Sequence, residues 1–299
     1  MISLQFPQAD GECVYHYTSV NGVMGILQKN KIVLHLTRAN FLNDTTEGVE
    51  IFKHLRPVCN ALLKRHCITP DQHAEILKLE TQHSTVRFTP CWMKDSVTVE
   101  ETETDTYIMS FSSDPDSLPM WNYYASGGYC LHFNEKYLDY THLHDLDGYS
   151  FDLDYSKVFY DKEAKEKQLE QIILENTQAG KDDYVSCIEY EVKRLQYLFK
   201  HDAFSHENEK RLIVHVPRSG KKPTFETRFK PKGGYVVPYI KLETTGNNLP
   251  LFTIKGITIG PIANKAFASN SLQLFLANNG YEFANGSIHS SEIPLRALK

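Results

Sequence analysis

Three groups of residues in this 299-residue chain have the types and spacing that chemistry needs. The first is His16, set between Tyr15 and Tyr17 in the run YHYTS. On a strand, such an imidazole can bond a ribose hydroxyl or a carbonyl while the flanking rings cover a flat base; the plainer alternative is one satisfied histidine in a half-buried strand. The second is Glu207-Asn208-Glu209, preceded by His206 and followed by Arg211 and RLIVHV. Two carboxylates two residues apart at a strand entrance point the same way, which suits general-base work or stabilisation of a cationic transition state. The alternative is a solvated entrance with Glu209 paired to a base. The third is Ser110-Phe111-Ser112, whose two hydroxyls share one strand face and can bind a substrate or orient a carboxylate. No GxSxG surrounds them, which argues against a serine hydrolase.

These groups need elements to hold them. Thr106 to Ser112 and Tyr129 to Phe133 alternate at period two and predict strands, separated by Asp114-Pro115-Asp116-Ser117 turn chemistry and a short helix crowded with Met120, Trp121, Tyr123 and Tyr124. Trp121 fits the core better than a stacking platform. Residues 13–19 read as a strand, followed by a helix whose apolar face is Val20, Val23, Met24 and Leu27. Ile32 to Leu36 is a further strand, and FLNDTTEG a polar turn. A helix then carries Val49, Phe52, Leu55, Leu62 and Leu63, and Pro57 is expected to bend or divide it. Helices are predicted over 70–82, 162–177 and 182–200, and from Asn264 to Ala277; strands at 157–160, 211–216, 224–230, 234–240 and 252–259. Strands and helices are intermixed without βαβ alternation. The expected fold class is therefore α+β, a mixed or antiparallel central sheet with several peripheral helices. With no linker or low-complexity tract, 1–299 reads as a single domain, with a core over 13–217 and a C-terminal extension over 218–299.

Composition narrows the function classes. A formal charge of −5 argues against bulk attraction to nucleic acid, yet residues 218–232 hold six basic residues and one acid, a candidate phosphate contact or a solvated loop. Six scattered cysteines without CxxC spacing read as free thiols. The clusters His142, His144, Asp145, Asp147 and His66, Cys67, His73, His83 lack metal-ligand spacing, so no metal is expected. There is no GxGxxG after a strand and no P-loop lysine. No secretory signal or membrane-length run is evident, and a soluble cytoplasmic protein is expected.

The pieces YHYTSVNGVMGILQKNKIVL, FLNDTTEG, MSFSSDPDSLPMWNYYASGGYCLHF, FKHDAFSHENEKRLIV and ITIGP with SSEIPLR together resemble a bacterial family known as a domain of unknown function. A looser resemblance is to the ADP-ribosyltransferase layout: His on a first strand, Ser-x-Ser on a later one, and ExE opening a still later one. That resemblance implies NAD as substrate. It places His16, Ser110 and Ser112 around NAD, Glu209 on the nicotinamide ribose, and Glu207 as the group that orients or deprotonates the acceptor. Tyr17, Tyr15 or Trp121 would stack on a flat ring, and Arg38 or Arg211 would meet the pyrophosphate. The acceptor would be a protein or a nucleic acid, with a bacterial toxin or phage-defence effector as the setting. The sequence mixes two patterns of that superfamily, since serine strands normally accompany Arg rather than His. The alternatives are a non-catalytic nucleotide or nucleic-acid sensor, and a metal-dependent nuclease or hydrolase built on Glu207, Glu209 and nearby histidines.

Overall fold

The computed structural model describes residues 4–5, 12–44, 46–83, 104–138, 152–178, 183–217, 225–232, 234–243, 253–262, 264–282 and 286–294. In chain order these form β1 (Leu4–Gln5), β2 (Cys13–Thr18), α1 (Val20–Ile26), β3 (Leu27–Gln28), β4 (Lys31–Arg38), α2 (Phe52–Lys64) and α3 (Pro70–His83). Then come β5 (Thr104–Ser112), α4 (Leu118–Met120, continued by a π-helical turn Trp121–Ala125), β6 (Tyr129–Asn134), β7 (Asp152–Lys157), α5 (Lys162–Gln178) and α6 (Tyr184–Leu195). The chain ends with β8 (Glu209–Pro217), β9 (Arg228–Lys232), β10 (Tyr235–Glu243), β11 (Ile254–Ile259), α7 (Lys265–Asn278), β12 (Tyr281–Glu282) and β13 (Ile288–Ser290). The fold is α+β, as expected. Two compact units divide it: 1–38, 105–157 and 206–299 form one, 39–104 and 158–205 the other.

The first unit carries an eleven-stranded mixed sheet, ordered β13-β11-β6-β2-β5-β4-β10-β9, with β3 on β4 and β8 joining β5 to β7. Its pairings are mostly antiparallel; β13 lies parallel to β11. Strands from beyond residue 217 pair within this sheet, β10 with β4 and β11 with β6. One sheet face supplies the main core through Val14, Leu34, Leu36, Met109, Phe111, Leu131, Phe133, Leu212, Val214 and Ile240, the alternation their strands impose. α7 lays Ala268, Leu272 and Leu276 onto it at four-residue spacing, its first turn capped by Asn264, which accepts from the Phe267 N–H at 3.0 Å.

In the second unit α2 packs on α3 and α5, and α6 on α3 and α5. The buried stripe is Leu55, Leu62, Ile76, Leu79, Leu169, Ile173, Ile188 and Val192. Lys165 is buried there and bonded to Glu50 at 3.2 Å. α2 runs through Pro57 as one helix rather than being divided. Pro57 is the sixth residue of this helix, and lacking an N–H it leaves the Lys53 carbonyl without its i+4 donor.

Several boundaries differ from the sequence expectation. α1 buries Val23 and Ile26 and leaves Val20 and Met24 exposed. The helix ends at Ile26, so Leu27 belongs to β3 and the face rotates by a residue. The strand placed at 157–160 lies earlier, at Asp152–Lys157, leaving Phe159 in an isolated bridge to Phe199. The predicted helix over 182–200 turns 3-10 after Leu195.

Asp116 ties two distant segments of the first unit. Its carboxylate accepts from Trp121 Nε1 at 2.6 Å, Ser291 Oγ at 2.7 Å and the Glu292 N–H at 3.0 Å. Trp121 is 1% exposed, so losing that acceptor strands a buried indole N–H. Asp116→Ala should lower unfolding free energy by about 2–3 kcal/mol in urea titrations; an unchanged midpoint would contradict this role.

Candidate functional site

β5 carries the centre of the site because three strands meet it. β8 touches it at both ends, through Ser113 N to Asn208 O at 2.9 Å and Thr106 Oγ1 to His215 Nδ1 at 3.1 Å, and so occupies one whole edge. The other edge is shared. β2 pairs there only at Tyr15–Ser112, and β4 at Thr37–Ile108 and Arg38–Tyr107. Between those pairs β2 and β4 part company, and the sheet forks.

His16 fills the fork. A continued ladder would bring His16 opposite Phe111 and Tyr17 opposite Ser110, but the β2–β5 register stops at Tyr15–Ser112, while the other edge of β2 pairs with β6 from Cys13 to Thr18. The Ser110 carbonyl is bonded by His16 Nδ1 at 2.9 Å. A carbonyl only accepts, so Nδ1 carries the proton and Nε2 is left with its lone pair. Burial, reinforced by the charge of Lys230, pushes the imidazole down to about 4, so the neutral form holds at neutral pH. A neutral Nε2 is an acceptor for a hydroxyl.

Behind it, the registers of β4, β10 and β9 place His35, Thr37, Tyr239, Lys241, Arg228, Lys230 and Lys232 on one face. The Tyr239 ring stands 5.0 Å from His35 and 5.2 Å from Lys230 Nζ. His35 is also held near 4, by burial first and then by Lys230, Lys241, His16 and Arg228; its Nε2 is buried without a partner. Gly25 on α1 allows this packing, since a Cβ there would lie 2.9 Å from the His35 ring. Burial, and then Lys232, lowers Lys230 to about 8. His35 and Tyr239 did not emerge from the sequence as site residues, and Lys230 did so only as one member of the basic run 218–232. The available signal was the period-two charge in RFKPK, Arg228, Lys230 and Lys232, which marks a strand face rather than a loop.

The acidic group sits on the other edge of β5. Glu207 and Glu209 are not successive same-face residues of one strand. Glu207 ends a 3-10 turn, Asn208 adopts φ +43°, and the strand begins only at Glu209. The left-handed residue breaks the alternation on which a common direction depends. Each carboxylate has its own partner. Glu207 accepts from Tyr124 OH at 2.6 Å in a part-buried contact, while Glu209 is bound in the buried interior by Arg211 through Nε at 2.9 Å and Nη2 at 3.0 Å. The two β5–β8 contacts set a register in which Ser112 stands opposite Glu209 and Ser110 opposite Arg211. Ser112 is fully buried, donating to the Glu207 carbonyl at 2.7 Å and accepting from the Asp114 N–H at 3.1 Å.

The remaining candidates take other places. Tyr17 lies in a small core with Trp121, ring centroids 4.8 Å apart; its hydroxyl donates to Asp114 O at 2.8 Å and accepts from the Ser117 N–H at 2.9 Å. It pins the 114–117 turn instead of opening toward the fork. Arg38 ends β4 in an ion pair with Asp105 at 2.6 Å. Arg211, 1% exposed, is committed to Glu209 rather than open to a pyrophosphate. The His142–Asp147 cluster and residues 218–224 lie outside the described residues. Among the described residues no three His, Cys, Asp or Glu side chains gather as a metal-ligand set, and no helix is long and apolar enough to cross a membrane.

Fold and site thus define an α+β protein with a forked sheet, a neutral histidine in the fork and a buried Glu–Arg pair beside it. Residues 120–212 match a family described as "Protein of unknown function (DUF2971)". The match takes in the second half of the aromatic block and the ENEKRL segment; YHYTS, NDTTEG and SSEIPLR fall outside it. No curated protein and no solved structure matches the chain.

Two measurements check the electrostatics. His16, His35 and His132 are each held near 4 in the fold, chiefly by burial, against 6.5 unfolded. Their contribution to stability is therefore complete above pH 6.5 and disappears as pH falls toward 4, because the unfolded chain takes up protons first. The urea midpoint should decline across that window, and less so in His16→Gln. Separately, Glu209→Gln breaks the buried Arg211–Glu209 ion pair and should cost about 3–5 kcal/mol; a loss below 1 kcal/mol would mean the pair is not desolvated as described.

Proposed function

We propose that the protein binds NAD in the fork between β2 and β4 and transfers its ADP-ribosyl group, as an ADP-ribosyltransferase-like enzyme. The observation that carries this reading is His16, whose Nδ1 is tied to the Ser110 carbonyl at 2.9 Å, leaving a neutral Nε2 to accept from a ribose hydroxyl. It is supported by adjacency: the His strand, the Ser-x-Ser strand and the strand opened by Glu209 are neighbours, β2 and β8 both on β5. By alternation His16 shares the face of Phe111, their rings 5.9 Å apart, while Ser112 and Glu209 occupy the opposite face. The opening of the fork beside Ser110 is the passage between them in this reading.

In the reaction the bond between nicotinamide and the ribose breaks, and its electron pair leaves with nicotinamide. The Glu209 carboxylate stabilises the cationic sugar and accepts from its hydroxyl. Arg211 binds both carboxylate oxygens and fixes the direction of the group. Glu207, bonded to Tyr124, takes the proton that the acceptor loses as it adds to the sugar.

One observation favours a second reading. Glu209 is buried and doubly bonded to Arg211, an arrangement that serves a non-catalytic nucleotide sensor equally well.

Calorimetry with NAD and an assay for released nicotinamide separate the two. Wild-type protein should bind NAD and release nicotinamide, and His16→Ala should weaken binding about tenfold, the worth of one well-placed hydrogen bond. Binding without release assigns the sensor reading. Absence of NAD binding, or wild-type affinity in His16→Ala, sinks both.

A further inference from the structure

We propose that the face of β9 carrying Arg228 and Lys230 binds the diphosphate of the nucleotide whose ribose meets His16, with Lys230 as the contacting cation. This rests on the NAD reading and adds to it an anion subsite, since Arg38 pairs with Asp105 and Arg211 with Glu209.

The geometry is specific. Lys230 is half-buried over the Tyr239 ring, and Tyr239 in turn lies against His35. The charge of Lys230 reaches both His16 and His35. The ionisable groups bearing on this spot from each packed strand are His16 on β2, His35 on β4, Lys241 on β10, and Arg228 and Lys232 on β9. They are cations or neutral imidazoles. The Arg228 guanidinium meets Glu226 at 2.6 Å in an exposed pair, a contact that water and salt leave weak. Among the described residues no carboxylate pairs with Lys230. A half-buried ammonium with only cations and neutral rings around it is unfavourable until an anion arrives.

The chemistry selects a small phosphate ligand over a polymer. The cationic face of β9 runs from Arg228 to Lys232, four residue steps or about 13 Å of strand. The pairing of Thr37 with Ile108 puts this face opposite the one His16 shares with Phe111, so a ligand that touches both passes through the fork, and the formal charge of −5 on the chain opposes a long polyanion. Lys230 stands 5.2 Å from the Tyr239 ring, and that ring lies 5.0 Å from His35, so a cation and a flat ring adjoin the second histidine.

The test is calorimetry of the full chain with inorganic pyrophosphate, NAD and nicotinamide riboside, which has the sugar and base but no phosphate. Lys230→Gln should lose on the order of tenfold to a hundredfold in affinity for pyrophosphate and NAD and keep wild-type affinity for the riboside. Lys230→Arg should retain pyrophosphate binding. Wild-type affinity for pyrophosphate should fall as pH rises above about 8, where the free ammonium loses its proton, and Lys230→Arg should remove that dependence. Pyrophosphate binding that survives Lys230→Gln, or that is absent in the wild type, overturns the proposal. Binding of a single-stranded oligonucleotide in place of pyrophosphate also overturns it. Riboside binding by the wild type reports the ribose contact and pyrophosphate binding the anion subsite, so failure of the one and failure of the other give different results.

Discussion

Everything in the site depends on one backbone carbonyl that the sheet itself cannot satisfy. Where β2 and β4 separate on the edge of β5, the Ser110 oxygen loses the ladder partner that a continuous strand would give it. A buried carbonyl left unpaired costs free energy comparable to a lost hydrogen bond, so a fork can persist only if something donates into it. The His16 imidazole does so. The same bond fixes the tautomer, leaves Nε2 with its lone pair, and keeps the ring in an enclosed place where protonation is disfavoured. Structural necessity and chemical availability thus sit on opposite nitrogens of one ring.

Around that point, polar groups are spent on positioning loops. Ser112 joins the Glu207 carbonyl to the Asp114 N–H, Tyr17 holds the 114–117 turn, and Asp116 gathers Trp121, Ser291 and Glu292. Gly128 lets the chain pass close to β2, since a Cβ there would lie 2.4 Å from the Thr18 carbonyl. The aromatic block is therefore a wall. Except for the exposed Tyr123, its rings pack into the fold, and the open chemistry is displaced to His16, His35, Tyr239 and Lys230.

Much of the fold was legible because β2, β5 and β6 each alternate strongly and the turn residues between them are unambiguous. The ExE motif misled for a local reason: Asn208 adopts a left-handed conformation, which no two-residue spacing reveals, so Glu207 and Glu209 diverge. α1 misled because its end at Ile26 depends on the β3–β4 pairing of Leu27 with Ile32, a tertiary contact. The basic run over 218–232 combined a strand with residues before it, and only the pairing of β9 with β10 shows which cations share a face. The fork could not be read from sequence at all. It arises from two strands competing for one edge, and the residue that resolves the competition looks like any histidine flanked by tyrosines.

The most direct test of the fork as a ligand site is nitrogen-15 NMR of the His16 imidazole, assigned with His16→Gln, before and after addition of NAD. The expected result is a neutral ring protonated on Nδ1 at pH 7, with the Nε2 resonance moving when NAD saturates the protein while the Nδ1 proton stays in place. A ring protonated on Nε2 in the free protein, or an Nε2 resonance indifferent to saturating NAD, would contradict it.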